Sequence, residues 1–269
     1  MIKVIIAGAA GRMGQRIAQM VESHPQLTIG AAFEAEGNRF IGRDIGELAV
    51  GEKSGVPIEA GLESVIGKGE VIIDFTFHAA TMAFARLAAR HKVAMVIGTT
   101  GLSAENLAEL AELTRDFPCV RAPNMSVCVN VLQKLVKKTA AILGDDYDIE
   151  IIEAHHNKKK DAPSGTAIQL GEMAAEGVNR KLSEVGVFAR NGIIGERKPH
   201  EIGISTIRAA DIVGEHTVYF AGPGERIELT HRAHNRDHFA KGALTAAAWV
   251  VGRAPGLYSM FDVLGLRDL

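Results

Sequence analysis

The amino-acid sequence predicts an α/β protein in which a Rossmann-like parallel-sheet domain carries an inserted α+β domain built on an open mixed sheet. Three observations lead to this prediction. Short apolar segments alternate with helix-like segments through the first half of the chain, as in parallel β-α-β units. From about residue 127, several strand-like segments follow one another without helices between them. A helical segment then closes the chain, where it can pack back on the first domain.

The first domain is defined by segments in chain order. Short apolar runs that end in glycine or polar residues predict strands, and helical spacing predicts helices. Residues 36–60 are rich in glycine and charge, so we expect a long loop there. The predicted strands are IKVIIAG, LTIGAAFE, VIIDFT, VAMVIGTT and CVRAPN, and the first predicted helix is RMGQRIAQMVESH.

The second domain begins with a predicted helix, NVLQKLVKKTAAIL, which leads to the strand YDIEIIEA. A further helix pattern, AIQLGEMAAEGV, precedes the strands EIGISTIRA, DIVGEHTVYFAG and ERIELTHRA, and DHFAKGALTAAAWVVGR is the closing helix. We therefore expect a dinucleotide-binding domain of residues 1–126 and 236–269, with a substrate-binding domain of residues 127–235.

Composition limits the possible functions. The chain has 269 residues, 47% of them hydrophobic, with a mean hydropathy of +0.09. No apolar run approaches the roughly 18 to 20 residues that a membrane helix needs. Thirty basic and 32 acidic residues give a net charge of −2, which argues against nucleic-acid binding. Two cysteines cannot form a framework of disulfides, so we expect a cytoplasmic protein.

A glycine-rich turn, Gly8-Ala9-Ala10-Gly11-Arg12-Met13-Gly14, follows the first strand and opens the first helix. Small residues let the backbone approach a pyrophosphate, and the helix N-terminus supplies N–H groups. Glu34 ends the second strand, where a carboxylate can accept hydrogen bonds from ribose hydroxyls. The alternative is a tight turn with an ordinary surface glutamate. The order of strand, turn, helix and acid favours a dinucleotide site.

Later strand ends add candidates, because ligands collect at the carboxyl edge of open α/β sheets. We expect Gly98, Thr99 and Thr100, and also Ala122, Pro123, Asn124 and Met125, to hold the nicotinamide end of a cofactor. Each short segment alone is more often a plain loop. Asp74, at the end of VIID, fits a local hydrogen-bonding partner better than a catalytic base.

The segment EAHHNKKKDAPSGTA, residues 153–167, places two histidines and three lysines where a strand runs into a loop. Ser164 is a predicted N-cap, so free N–H groups of the following helix and the lysines would face an anion. Histidine and lysine also handle protons. The alternative is a solvent-exposed lysine run without a ligand, but this run is short and is followed by Asp161. If the strand continues, the two histidines point to opposite sides.

Two other sites are less favoured. A zinc site from His231, His234 and His238 lacks a thiolate and the HExxH pattern, so no metal is expected. Cys128 lies in the apolar segment SVCVNVL, which favours a buried inert thiol over a nucleophile.

These motifs together resemble the 4-hydroxy-tetrahydrodipicolinate reductase family, also called dihydrodipicolinate reductase. The resemblance rests on AGAAGRMG, IDFT, IGTTG, APNMS, EAHHNKKKDAPSGTA and ADIVGEHTVYFAGPGERIELTHRA, in order along nearly the whole chain. It implies an enzyme of lysine and diaminopimelate biosynthesis that transfers hydride from NADH or NADPH to a cyclic, unsaturated dicarboxylate. It further implies a homotetramer that the second domain assembles.

The resemblance also implies roles for individual residues. His155 and Lys159 match the proton-handling pair, and His156, Ser164, Gly165 and Thr166 match the positions that hold substrate. Some family members carry an arginine after the ribose-binding acid, which can pair with the 2′-phosphate of NADP, but this chain has Ala35. Arg39 and Arg43 lie farther along the predicted loop, and the sequence leaves open whether either reaches that phosphate. We expect NADH to be used at least as well as NADPH. A non-catalytic nucleotide-binding regulator and another dehydrogenase of the same fold are the open alternatives.

Overall fold

The computed structural model describes residues 1–269, and the chain divides into two compact units. The first unit comprises Met1–Ser126 and Asp237–Gly265, and the second comprises Val127–Arg236 and Leu266–Leu269. The last four residues, expected in the first domain, therefore group with the second unit. There the Lys134 Nζ donates to the main-chain oxygen of Arg267 (3.2 Å).

The first unit is built on a seven-stranded sheet in the order β12-β6-β5-β4-β1-β2-β3, with all neighbours parallel. Its strands are β1 (Ile2–Ala7), β2 (Leu27–Glu34), β3 (Ile58–Ala60), β4 (Val71–Asp74), β5 (Ala94–Ile97), β6 (Pro118–Arg121) and β12 (Gly256–Tyr258). Its helices are α1 (Arg12–Glu22), α2 (Ile45–Val50), α3 (His78–His91), α4 (Ala104–Leu113), α8 (Asp237–Val250) and α9 (Met260–Val263). The strand order reverses at β1, because β1 lies between β4 and β2.

The central strands of this sheet are apolar except for Lys3 of β1 and Asp74 of β4, because helices cover both faces. All four residues of β4 and of β5 are buried. One cluster of buried residues packed against this sheet includes Ile5, Ile72, Met95 and Phe117. Such continuous apolar runs are what the sequence pattern predicted for parallel strands.

The segment 36–60 is not the long loop that was expected, since it contains α2 and β3. The Asp44 carboxylate organises it by accepting hydrogen bonds from the backbone N–H groups of Gly46, Glu47, Ser54 and Gly55. Burial alone would raise the pKa of Asp44, but these hydrogen bonds lower it to about 2. The elements are too short to show a hydrophobic period, which is why the sequence pattern did not predict them.

The second unit is built on a mixed sheet in the order β11-β10-β7-β9-β8. The central strand β7 is antiparallel to β10 and parallel to β9, and β10 is antiparallel to β11. The strands are β7 (Asp148–His155), β8 (Gly186–Val187), β9 (Ile202–Arg208), β10 (Glu215–Gly222) and β11 (Glu225–Arg232). The helices are α5 (Val127–Leu143), α6 (Gly165–Gly177) and α7 (Leu182–Val185). The predicted fold class is confirmed.

Helices α5 and α6 cover one face of this mixed sheet. Alternate residues such as Ile149, Ile151, Val218 and Phe220 join the helices in one buried cluster. None of the helices in the chain combines the length and apolar character that crossing a bilayer requires.

We predict that Gly242→Ala lowers the free energy of unfolding. Alanine favours helix over glycine, but a Cβ at position 242 of α8 would lie 1.7 Å from the main-chain oxygen of Met125. The helix must therefore shift, at a cost of about 1 to 3 kcal/mol. Urea denaturation measures the change. Gly67→Ala is the matched control, because a Cβ there meets no atom within 4 Å. Equal stability of the two variants would contradict this prediction.

Candidate active site

The predicted cofactor residues all lie at the carboxyl edge of the seven-stranded sheet. The parallel arrangement brings the ends of β1, β2, β5 and β6 to one edge, with Gly8, Glu34, Gly98 and Ala122 at or after those ends. The edge is also where the strand order reverses, which is the usual ligand position in open α/β sheets.

The turn after β1 leaves little room for side chains. Gly8 has φ +61°, and a Cβ there would lie 2.8 Å from the Thr76 Cγ2. A Cβ at Gly14 would lie 2.3 Å from the main-chain oxygen of Gly8. Helix α1 then starts after Gly11, with no side-chain cap and no acidic residue in its first turn. Its first N–H groups and its dipole are thus available to an anion.

Glu34 is tied to this turn, since its Oε1 accepts a hydrogen bond from the Ala10 N–H (2.8 Å). A carboxylate offers about four lone-pair positions, so further hydroxyl donors can still bind Glu34. Ala9 is buried and donates its N–H to the main-chain oxygen of Phe33 (3.2 Å), whereas Arg12 is exposed and Met13 is half-buried.

The ends of β4 and β5 lie beside each other. A Cβ at Gly98 would lie 2.3 Å from the Phe75 ring, so glycine is needed there for packing as well. Thr99 is buried and Thr100 is exposed. Asp74 accepts hydrogen bonds from the Thr76 N–H (2.9 Å) and from the Thr81 hydroxyl (2.5 Å), as expected for a local partner. Burial raises the pKa of Asp74, and these hydrogen bonds oppose the rise.

The segment after β6 includes the remaining predicted cofactor residues. Ala122 and Met125 are buried, Pro123 is exposed and Asn124 is half-buried. The Asn124 Oδ1 accepts a hydrogen bond from the Ser126 N–H (2.9 Å), which shapes the segment before α5.

These observations fit a nicotinamide dinucleotide, because the turn leaves room for a pyrophosphate and the Glu34 carboxylate, at the end of β2, can accept hydrogen bonds from hydroxyl groups. Two arginines follow Glu34 in the chain. The Arg39 guanidinium lies over the Phe40 ring (4.7 Å), and the Arg43 guanidinium pairs with Glu47 (3.7 Å). Neither forms an ion pair with Glu34.

The second unit places His155 at the end of β7 with its ring against a buried carboxylate. The Nδ1 of His155 lies 2.5 Å from the Oε2 of Glu153, on the same face of the strand. The His155 side chain is 12% exposed and that of Glu153 is fully buried. The strand ends here, so His156 belongs to the loop that follows. The Nδ1 of His156 is buried without a hydrogen-bond partner.

Glu153 is ionised because several donors surround it. Arg208 pairs with both of its oxygens (2.9 and 2.8 Å), and the Ser164 N–H donates to its Oε1 (3.0 Å). Burial alone would raise the pKa of Glu153, but the hydrogen bonds from His155, Arg208 and Ser164 lower it to about 2.

A further histidine, His216 of β10, contacts both Ser164 and His155. Its Nε2 is 3.0 Å from the Ser164 hydroxyl, and its ring centroid is 5.2 Å from that of His155. Burial lowers the pKa of His216 to about 3, and the positive charge that His155 can carry lowers it as well. His216 is therefore neutral at physiological pH.

Lys159 lies in the loop after β7 and is 21% exposed. Its Nζ contacts the Asp161 Oδ1 (2.9 Å), and this contact lowers the pKa of Asp161. Lys158 and Lys160 are both exposed. The loop ends at Ser164, which caps α6 by accepting a hydrogen bond from the Ala167 N–H (3.2 Å). The first turn of α6 holds no acidic residue, so the N–H groups of Gly165 and Thr166 can face an anion.

The sequence patterns assigned no role to three residues that organise this cluster, although Glu153 and His216 lie within the segments that carry the family resemblance. Glu153, Arg208 and His216 come from three strands, β7, β9 and β10, and no short motif joins them. The alternation within β7 was the one available signal, since it places Glu153 and His155 on the same face.

The expectation for Cys128 is wrong. This thiol is exposed on α5, whereas Cys119 is buried. The buried face of α5 includes Val129, Leu132 and Val136, and Cys128 lies off that face. No three or more His, Cys, Asp or Glu side chains lie where they could hold a metal ion together.

A doubly wound parallel sheet with a glycine turn, together with a second unit that carries a histidine and lysine cluster, defines a two-domain nucleotide-dependent oxidoreductase. Models of the dihydrodipicolinate reductase family match both parts of the chain, the N-terminal model over residues 2–125 and the C-terminal model over residues 128–264. The chain belongs to the dihydrodipicolinate reductase family, as predicted, and this family uses NAD(P)H.

Curated relatives agree along the full length. The 4-hydroxy-tetrahydrodipicolinate reductase of Desulfotalea psychrophila is 74% identical over 269 residues, which is all of both chains. That of Anaeromyxobacter dehalogenans is 51% identical over 267 residues, covering 99% of both chains. Among solved structures, the dipicolinate-bound dihydrodipicolinate reductase from Paenisporosarcina has a TM-score of 0.77 at 26% identity, covering 97% of this chain and 98% of that one. The identity to these reductases argues against the two alternatives, a non-catalytic nucleotide-binding regulator and another dehydrogenase of the same fold.

We predict that Glu153→Gln weakens the acid dependence of stability. The pKa of Glu153 is about 2 in the folded protein against an ordinary 4.5, so the carboxylate stabilises the fold above pH 4.5. That contribution, on the order of 3 kcal/mol, is lost as the pH falls through about 2. Urea denaturation between pH 6 and pH 3 should therefore show a smaller slope with pH for the variant. Burial lowers the pKa of His216 and the Glu153 charge raises it, so both proteins carry His216→Asn in this comparison. Parallel pH profiles would contradict the prediction.

Proposed function

We propose that this chain reduces the cyclic, unsaturated dicarboxylate derived from 4-hydroxy-tetrahydrodipicolinate, with NADH or NADPH as the hydride donor, to give tetrahydrodipicolinate. The observation that carries the proposal is the cluster of His155, His156 and Lys159 beside the N-terminus of α6, in a chain whose other unit bears the glycine turn and Glu34. The full-length identity to reductases of this name supports it.

The first unit binds the cofactor. The small residues of the turn, Gly8, Ala9, Ala10 and Gly11, let the pyrophosphate approach, and the N–H groups of Arg12 and Met13 at the start of α1 donate to it. Glu34 accepts hydrogen bonds from the adenosine ribose hydroxyls. Residues 98–100 and 122–125 hold the nicotinamide end. The bound cofactor supplies the hydride, and these residues fix the face of the ring that donates it.

The second unit binds the dicarboxylate. His156 and the N–H groups of Gly165 and Thr166 donate hydrogen bonds to the substrate carboxylates, helped by the dipole of α6, and Ser164 caps that helix. The unpartnered Nδ1 of His156 supports this role, because a buried ring nitrogen without a partner is costly until a ligand pairs with it.

His155 and Lys159 handle the proton. Hydride addition leaves an electron pair on the ring, and a proton must reach the atom that carries it. Lys159 is a cation held close to where a dianion binds, so it favours both binding and proton donation. Its contact with Asp161 holds the ammonium group in the loop, and substrate carboxylates compete for the same charge.

The second unit also supports a homotetramer. The sheet face opposite α5 and α6 leaves Ile152 and Ile207 exposed, by 37% and 47%. We propose that this uncovered face packs against other copies of the chain. A cytoplasmic location stays a prediction from the sequence.

We expect Lys159→Ala to lower kcat by about 100-fold or more with NADH binding unchanged, because the variant removes the cationic member of the proton-handling pair and leaves the cofactor site intact. The assay follows NADH oxidation with freshly generated 4-hydroxy-tetrahydrodipicolinate, and fluorescence titration measures NADH binding. Lys158→Ala is the matched control, since an exposed neighbouring charge should change kcat less than about fivefold. Turnover of another substrate, with no oxidation here, would refute the proposed function.

We also predict that NADH serves at least as well as NADPH. Glu34 repels a 2′-phosphate, and Ala35 offers no cation. The Arg43 guanidinium is paired with Glu47, and the Arg39 guanidinium lies over the Phe40 ring. Steady-state kinetics with both cofactors tests this, and a preference for NADPH above about tenfold in kcat/KM, or roughly 1.4 kcal/mol, would contradict it. Ala35→Arg should shift the ratio towards NADPH, whereas Ala35→Gln, which adds length without charge, should not.

A further inference from the structure

We propose that Glu153 is a positioning residue for His155, which it holds with Nδ1 protonated so that Nε2 is the atom that exchanges a proton with the substrate. The inference rests on the proposed function for its catalytic meaning, but the arrangement of the side chains carries it independently. No short motif in the sequence assigns a role to Glu153.

The tautomer follows from the chemistry of the partner. An ionised carboxylate only accepts hydrogen bonds, so the nitrogen that lies 2.5 Å from it must carry a proton. In the neutral ring the other nitrogen, Nε2, is then an acceptor, and in the cation it is a donor. Glu153 therefore decides which atom of His155 takes part in proton transfer.

The carboxylate itself cannot turn away from the ring. Its Oε1 accepts from Ser164 N (3.0 Å) and Thr206 Oγ1 (3.2 Å), and Arg208 donates to both oxygens. These donors come from β9 and from the start of α6, so two separate elements hold the carboxylate in place. Arg208 is held in turn by the main-chain oxygen of Asp161 (2.7 Å).

The opposite side of the ring is kept clear by a glycine. A Cβ at Gly214 would lie 3.0 Å from the Nε2 of His155, which is too close for an ordinary contact. The perpendicular ring of His216 lies on another side of His155 (5.2 Å between centroids). A flip of the His155 ring would place Cδ2 against the carboxylate and lose the hydrogen bond. One orientation of the ring is thus selected.

The arrangement suits a proton donor that is used once in each turnover. After hydride adds to the ring of the substrate, the N–H bond at Nε2 of the cationic His155 breaks and its proton passes to the atom with the new electron pair. His155 returns to the neutral form with Nδ1–H still bound to Glu153, and solvent restores the proton. Glu153 accepts the Nδ1–H hydrogen bond before and after the transfer and is not itself protonated.

The first test needs no variant of Glu153. The 15N spectrum of protein labelled at histidine, recorded by magic-angle-spinning NMR at a pH where His155 is neutral, separates protonated from unprotonated ring nitrogens. The difference from His155→Asn assigns the signal. We expect Nδ1 protonated and Nε2 unprotonated. The opposite tautomer would overturn the proposal, whatever substrate the enzyme reduces.

The second test compares two glutamates of β7. Glu153→Gln removes the charge beside His155 and lets an amide N–H donate to Nδ1. Glu150→Gln removes an equally arginine-paired carboxylate, bound by Arg190 (2.8 Å) and Arg197 (3.0 Å), that does not touch His155. We expect only Glu153→Gln to change the tautomer signal and to lower kcat by about 100-fold.

The outcomes distinguish a failure of the positioning role of Glu153 from a failure of the proposed reductase function. Loss of kcat in both variants to the same degree, or an unchanged tautomer and kcat in Glu153→Gln, would overturn the positioning role. If wild-type protein does not oxidise NADH with the substrate, the proposed function fails, while the spectra still decide the role of Glu153. If Glu153→Gln does not fold, the tautomer in the wild-type spectrum alone supports or overturns the positioning role.

Discussion

The second unit depends on the hydrogen bonds and the ion pair that the buried Glu153 carboxylate forms. This carboxylate joins β7 to Arg208 of β9 and to the start of α6, and it holds His155 at the same time. Removing one partner from such a buried ionic cluster leaves an uncompensated charge, which typically costs about 3 to 5 kcal/mol. The stability of the unit and the orientation of its candidate proton donor therefore share one group, so neither can change independently.

The first unit meets a different constraint, the close approach of backbones. The turn at Gly8 and Gly14, the Phe75 ring on Gly98, and α8 on Met125 all depend on missing side chains. These contacts bring the turn and the loops after β4, β5 and β6 to one edge of the sheet. A missing side chain at such a glycine allows close packing and would also let a ligand approach the backbone. The presence of glycine in the sequence therefore does not by itself identify a ligand site.

The two units differ in the charge that their candidate sites present. The first offers uncharged N–H groups and one acid, Glu34, which suits a nucleotide whose ribose hydroxyls are donors. The second concentrates cations and N–H groups around Ser164 and Lys159, which suits a small dianion. Membership of the dihydrodipicolinate reductase family explains why both sets occur in one chain.

The sequence by itself determined the fold class, the order of most strands and helices, and the motifs around Gly8 and His155. Apolar periodicity, glycine spacing and a capping serine are local signals, and they are readable without neighbours. The tertiary structure alone decided that Glu153, Arg208 and His216 surround His155, that Asp44 builds α2 and β3 within an expected loop, and that Cys128 is exposed. These outcomes depend on which face of a strand or helix meets a partner distant in the chain, and no local pattern specifies that partner.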